Sequence, residues 1–281
     1  MTTSFSVGVL GLGIIGSRVA KNLRQKGFKV SVWNRTAKTE PGFVSSPAEL
    51  ARHAEIIQIF VSNDAAVHES VTALKPALTE RHLLLLHSTI SPETARAVQA
   101  EVMAIRTHVV DAPFTGSRAA AEKGQLTYYL AGDPADIERA RPVLEASSKT
   151  MLIFDRFGDA STVKIATNLI SAAIVEALAE AVALVEASGV DLGKFVEAVQ
   201  FNACRSGVGD LKLPAILQRD FSPHFSLKNM LKDSRLALQL AEKNSLSLPV
   251  TQAISQMLAR GDAAGLGDQD YAVVSELLRK K

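Results

Sequence analysis

Three stretches of this sequence bring together residue types that chemistry needs. The first is Gly11-Leu12-Gly13-Ile14-Ile15-Gly16, which follows the apolar run Val7 to Leu10 and opens a helical pattern. In that setting the first glycine allows a tight turn, the second lets the backbone approach a pyrophosphate, and the third lets the helix pack close to the strand. A dinucleotide phosphate would then sit at the positive end of the helix. About 20 residues further on, a fold that prefers NAD usually places Asp or Glu to bind the ribose hydroxyls. Here Asn34 stands in that place, followed by Arg35 and Thr36. A carboxylate that would repel a 2′-phosphate is absent and a guanidinium that can pair with one is present, so the expected cofactor is NADP(H).

The second stretch, Asp111-Ala112-Pro113-Phe114-Thr115-Gly116-Ser117, follows a strand pattern. Thr115, Gly116 and Ser117 offer hydroxyls and closely spaced backbone N–H groups, a suitable nest for a small carboxylate. In the third, Lys164 and Asn168 lie four residues apart on one helix and share a face. Hydride transfer to a carbonyl carbon leaves charge on oxygen, which a lysine can stabilise and protonate. Lys228 and Lys232 form another same-face pair, whose repulsion calls for Asp233 or a bound anion to compensate.

The elements that must carry these residues alternate through the first half. Strand-like runs SVGVLG, KVSVWN, EIIQIFVS, LLLLHST, THVVDAP, LTYYLAG and MLIFD are interleaved with helical patterns in IIGSRVAKNLRQKG, PAELARHA, PETARAVQAEV and ADIERARPVLEA. The alternation predicts βαβ units in a parallel sheet covered by helices on both faces, with Ile56 to Val61 and Leu83 to Leu86 as strands buried on both sides. From about Gly158 the strand signal ends. Ile165, Leu169, Ala172 and Ala173 recur at helical spacing, in a helix of about thirty residues ending before Gly189, long enough to join two domains. The expected architecture is α/β: a dinucleotide-binding domain over residues 1–157 and an all-helical substrate and oligomerisation domain over 158–281, joined by that interdomain helix.

Composition excludes several classes. The chain has 281 residues, 47% of them hydrophobic and 21% charged, the balance of a globular protein with a real core. Thirty-one basic against 29 acidic residues leave a net charge of +2, far from what nucleic-acid binding asks. The single cysteine, Cys204, allows no intrachain disulfide and no cysteine-built metal site, and the six histidines show no metal-ligand spacing. No GxSxG motif marks a nucleophile elbow. The first basic residue is Arg18 and the opening apolar run is short, unlike a secretory leader, and Glu176, Glu180 and Glu186 make Ile165 to Val190 a buried soluble helix rather than a lipid span. A cytoplasmic protein without metal, nucleic-acid or membrane partners is expected.

The whole pattern resembles the β-hydroxyacid dehydrogenase family. GLGIIGSRVAKNL with NRT looks like its cofactor signature, HSTISPET like its nicotinamide-side loop, and DAPFTGS like its substrate loop. KIATNLI looks like its catalytic helix and FSLKNMLKDSRLAL like its C-terminal lysine-aspartate segment. The resemblance implies an N-terminal Rossmann domain, a helical C-terminal domain, a dimer or tetramer, and Lys164 as general acid/base. It further implies that Asn168 and Thr115 to Ser117 hold substrate, that Thr89 lies near the nicotinamide ribose with Val61, Ser62 and Asn63 among the cofactor contacts, and that Lys232 reaches cofactor or substrate. The substrate loop reads Thr-Gly-Ser where the family more commonly has Ser-Gly-Gly, and with AAAEKGQL after it looks most like the glyoxylate/succinic semialdehyde reductase branch. Asp155 and Ala160 stand where the family often has glycine. The expected activity is NADPH-dependent reduction of small aldehyde-acids. The alternatives, in order, are another 3-hydroxyacid dehydrogenase of 3-hydroxyisobutyrate or tartronate semialdehyde type, an imine reductase, and a non-catalytic NADP-binding scaffold. Retained Lys164 and Asn168 disfavour the last two, and Ser171 replaces the glutamate that 6-phosphogluconate dehydrogenases carry two turns after the lysine.

Overall fold

A computed structural model describes residues 5–279; positions 1–4 and 280–281, the outer ends of the two expected domains, lie outside the described residues. The chain divides into two compact units, Met1–Lys164 and Ile165–Lys281.

The first unit runs β1 (Ser6–Leu10), α1 (Gly16–Gln25), β2 (Lys29–Trp33), α2 (Pro47–His53), β3 (Ile56–Ile59), α3 (Asp64–Leu74), β4 (Leu83–Leu86), α4 (Pro92–Met103) and β5 (His108–Asp111). It continues through β6 (Phe114–Thr115), α5 (Arg118–Glu122), β7 (Leu126–Ala131), α6 (Pro134–Leu144) and β8 (Ser148–Phe154) to the start of α7 (Asp159–Ala187). The sheet order is β2-β1-β3-β4-β5-β7-β6, with β8 also pairing β7. Adjacent leucines of β4 face opposite ways: Leu83 and Leu85 join one hydrophobic cluster, Leu84 and Leu86 the other. All four are buried, as the predicted two-sided cover requires. Helices start where local chemistry dictates: Ser46, Ser91 and Asp133 cap α2, α4 and α6, each followed by proline at the first helical position.

The sheet is mixed rather than wholly parallel. The pairs from β2 to β5 are parallel, but β7 runs antiparallel to β5 and β6, and parallel to β8. Parallel return needs a crossover of a dozen or more residues. Between β6 and β7 lie only residues 116–125, with the five-residue α5 among them, so the chain turns back on itself.

Helix α7 continues into the second unit, which adds α8 (Leu192–Gln200), α9 (Gly207–Gln218), α10 (Leu227–Lys243), α11 (Pro249–Ala263) and a 3-10 turn (Tyr271–Leu277). Among the described residues no strand follows Phe154. Ala172, Val175, Ala179 and Val182 give α7 its buried stripe against α8 to α11. Expected as a buried helix, α7 is buried along this stripe while Ile170 and Leu184 are exposed, and by length and composition it is apolar enough to cross a membrane. A helix buries only the face that neighbours cover. Lys212 and Asp270 pin the core from inside, with Nζ 2.7 Å from both carboxylate oxygens. Asp270 also accepts hydrogen bonds from the backbone N–H groups of His224, Phe225 and Ala272. This pairing offsets much of the cost of two buried charges.

Glu176 has no such compensation. Its Oε1 is buried without a hydrogen-bond partner among the described residues, and burial, reinforced by Glu180, pushes its carboxyl from 4.5 up to about 7. Between those values the folded chain holds a proton the unfolded chain has lost, so stability falls as pH rises through this window and stays reduced above it. Glu176→Gln should therefore raise the Tm at pH 8 by roughly 2–4 °C and change it little at pH 4. A thermal melt at each pH checks this; an equal shift at both would remove the buried charge as its cause.

Candidate active site

The glycine turn is built by close backbone approach. Gly11 has φ +97°, and a Cβ there would lie 2.0 Å from the Phe60 carbonyl oxygen; one on Gly16 would lie 2.0 Å from the Gly11 carbonyl oxygen. Those two glycines are demanded by the protein's own packing. Gly13 is not, since a Cβ there would meet nothing within 4 Å. The middle glycine therefore opens onto space. Asn34 Oδ1 accepts from Leu12 N at 2.9 Å while its amide donates to Thr36 O at 2.8 Å, so the strand-end residue braces the turn. Lys38 Nζ donates to Leu12 O from the same side. Arg35 and Thr36 are exposed beyond it, Leu12 is buried, and Ile14 is exposed. Ile15 caps α1 with no side-chain hydrogen bond, and the first turn holds no acidic residue. The positive helix end is thus left to an outside anion.

The next strand ends are tied together. Val61 N donates to Ser88 Oγ at 3.1 Å, and Asn63 caps α3 by accepting from Ala66 N. Ser62 is exposed and Thr89 half-buried. Asp64 Oδ1 accepts from both Ser91 N and Ser91 Oγ, at 3.0 and 2.8 Å. Burial alone would raise the Asp64 carboxyl; hydrogen bonds from Thr94 and Ser91 outweigh it and hold it below its ordinary value. His87 is fully buried, which pushes its ring down to about 3 and keeps it neutral. Its Nδ1 lies 2.7 Å from Ala112 O and its Nε2 2.9 Å from Gln58 Oε1, while the ring stacks on Phe60 at 4.4 Å.

Ala112 begins the segment that leads into β6 and the Thr115-Gly116-Ser117 turn. Thr115 lies on β6 opposite Thr127, and Ser117 Oγ accepts from Ala120 N at 3.3 Å as the cap of α5. Asp111, immediately before, is entirely buried and accepts from Ser161 N and Ser161 Oγ at 3.0 and 2.8 Å. Burial pushes its carboxyl from 3.8 up to about 6 against the pull of those hydrogen bonds. Lys164 follows Ser161 by one turn and is half-buried.

In the second unit, Asn168 is buried and its amide donates to Asp233 Oδ2. Lys232 Nζ lies 2.9 Å from Asp233 Oδ1, so Asp233 joins Asn168 and Lys232 in one cluster. Lys228 pairs with Asp268 and is largely exposed, which separates the two lysines' electrostatics: each has its own carboxylate.

Sequence reading did not single out Lys38, His87 or Asp64. Lys38 carries a usable signal, a cation three residues past Arg35. His87 and Asp64 carry none, because their partners stand far along the chain.

A doubly wound sheet with an uncapped helix end behind an open glycine turn, followed by an all-helical unit, defines a dinucleotide-binding protein. The residues fit such a cofactor: the opening at Gly13 would take phosphate, and the uncapped α1 N-terminus would supply donors. Residues 6–158 match the NAD binding domain of 6-phosphogluconate dehydrogenase, and residues 158–278 match the NAD-binding model of NADP-dependent 3-hydroxyisobutyrate dehydrogenase. The chain belongs to the β-hydroxyacid dehydrogenase family of 3-hydroxyisobutyrate dehydrogenase type, NAD(P)-dependent enzymes acting on CH–OH groups. It is 29% identical to glyoxylate/succinic semialdehyde reductase 1 of Arabidopsis thaliana, over 97% of this chain and 98% of that one. Among solved structures, 3-hydroxyisobutyrate dehydrogenase of Mycobacterium tuberculosis with L-serine aligns with a TM-score of 0.88 at 25% identity, covering 99% of this chain and 100% of that one. An imine reductase of Myxococcus stipitatus in complex with NADP+ shares the fold, with a TM-score of 0.66 at 21% identity, over 98% of this chain and 100% of that one.

The glycines separate packing from binding. Gly13→Ala should leave the Tm within about 1 °C, because its Cβ meets nothing, yet weaken dinucleotide binding at least ~10-fold. Gly16→Ala should unfold the turn and lower the Tm by several degrees. Thermal melts with a fluorescence titration of NADPH check both; unchanged affinity in Gly13→Ala would sink the phosphate assignment.

Proposed function

We propose that this protein is an NADPH-dependent reductase of small aldehyde-acids, with glyoxylate and succinic semialdehyde as its preferred substrates. The observation that carries the cofactor choice is the bracing of the glycine turn by Asn34 rather than by a carboxylate. An acid in that place would repel a 2′-phosphate, whereas here Arg35 and Lys38 stand beside it. Leu12, Ile14, Ile15, Thr36, Val61, Ser62, Asn63 and Thr89 complete the cofactor surface in this reading. The substrate choice is supported by the similarity to glyoxylate/succinic semialdehyde reductase 1 and by the Thr-Gly-Ser form of the loop.

When bound, the dinucleotide supplies hydride to the carbonyl carbon. Lys164 protonates the oxygen that gains charge, and in the reverse direction takes the hydroxyl proton. Asn168, oriented by Asp233, holds that oxygen without adding charge, and Lys232 contributes a cation toward cofactor or substrate. Thr115, Gly116 and Ser117 take the substrate carboxylate through hydroxyl and backbone N–H donors. The division of labour follows the expected domains, cofactor binding in 1–157 and substrate binding with oligomerisation in 158–281. A homodimer or homotetramer, for which the exposed Ile170 and Leu184 on α7 offer an apolar surface, working in the cytoplasm, completes the proposal.

Initial rates of NADPH and NADH oxidation with glyoxylate, succinic semialdehyde, methylglyoxal, 3-oxo acids and a cyclic imine test the reading directly. Turnover with NADPH and the first two is expected; turnover only with a cyclic imine, or tight NADPH binding without turnover, overturns it. Lys164→Ala should lower kcat at least ~100-fold with NADPH affinity nearly unchanged. Arg35→Ala should weaken NADPH much more than NADH. An equal loss for both cofactors would remove Arg35 from the 2′-phosphate.

A further inference from the structure

Helix first turns leave backbone N–H groups unsatisfied, and a residue just before the helix usually takes one. Ser46, Asn63, Ser91 and Asp133 do this for α2, α3, α4 and α6. Helix α7 is different. The N–H of its third residue, Ser161, is taken by Asp111, 50 positions back at the end of β5, and the Ser161 hydroxyl donates to the other oxygen of the same carboxylate.

Both partners are rigidly placed. Asp111 pairs in register with Leu86 of β4 and Ala131 of β7, and both Asp111 and Ser161 are 0% exposed. Ala160 packs on Tyr129 and Ala131, so the helix start is pressed against β7. The turn before it has no slack. Gly158 has φ +93°, and a Cβ there would lie 2.8 Å from Arg96 Nη1 and 3.2 Å from Pro92 O, at the first turn of α4.

A buried carboxylate is a costly cap where a serine or asparagine would serve. No salt bridge to Asp111 is formed among the described residues. The Gly158 backbone N–H and the nearby charge of Arg96 also favour its ionised form, and the carboxylate provides two acceptors matched to two donors on Ser161. Asp111 also roots the 112–117 segment, so one side chain sets the spacing between the candidate substrate turn and the helix that bears Lys164 one turn past Ser161.

We infer that Asp111 is a positioning residue for the reaction: through Ser161 it holds the first turn of α7, and with it Lys164, in register with the 112–117 segment. This rests on Lys164 being the proton donor. Asp111 touches neither substrate nor cofactor in this role; it acts through the lysine.

The test is a double-mutant cycle read in kcat, KM for glyoxylate and KM for NADPH, on the full-length enzyme. Asp111→Asn puts an N–H against a donor of Ser161, and Ser161→Ala deletes only the hydroxyl bond, so the second variant stands in if the first fails to fold. Each should lower kcat roughly 10- to 100-fold, as small misplacements of catalytic groups do, with KM for NADPH held within about twofold. In a Lys164→Ala background the same changes should have almost no further effect, because the group being positioned is gone. Equal fold-losses in both backgrounds, or full kcat in a folded Ser161→Ala enzyme, would overturn the inference while leaving the lysine in its role. A Lys164→Ala enzyme as active as the parent would instead remove the proton-donor reading, and the inference with it.

Discussion

The central strands of the first unit's sheet, β1, β3, β4 and β5, are covered on both faces, while β8 keeps Leu152 and Ile153 exposed, and that cover decides where polar groups of the central strands must go. Val7 and Val9 of β1 fall in one cluster and Leu10 in the other, and the leucines of β4 divide the same way. With both faces of these central strands covered, polar groups gather at their carboxyl ends, where doubly wound folds bind their ligands. Gly11, Val61, His87 and Asp111 all lie at or just past a strand end, on neighbours β1, β3, β4 and β5.

Burial then sets the electrostatics of those ends. His87 is kept neutral and Asp111 is pushed toward its protonated form, while Asp64 stays ionised because its hydrogen bonds outweigh its burial. The second unit meets the same problem in two ways. Asp270 is compensated by Lys212 and three backbone donors, whereas Glu176 keeps one carboxylate oxygen unpartnered. A fully satisfied buried charge serves as a pin; an unsatisfied one weakens the fold that contains it.

Much of the architecture was legible from local patterns. Apolar runs marked the strands, the glycine turn marked the first crossover, and helical spacing from Ile165 marked α7, which spans Asp159–Ala187. The parallel reading failed at β7, because strand direction follows from how the chain returns through β6 and α5 and not from the strand's own residues. The expected burial of α7 held along one stripe only, since an apolar sequence states what a face can bury and not what covers it.

The glycine turn beside Asn34 and the placing of Lys164 and Asn168 on one helix were readable because each rests on short local spacing. The His87 bonds to Ala112 and Gln58, the joining of Asn168 to Lys232 through Asp233, and the capping of α7 by Asp111 link residues 25 to 65 positions apart. Local sequence determines which residues can turn, cap or carry charge. Only tertiary structure decides which distant partner satisfies a buried polar group, because that choice is made by the packing that excludes water from both.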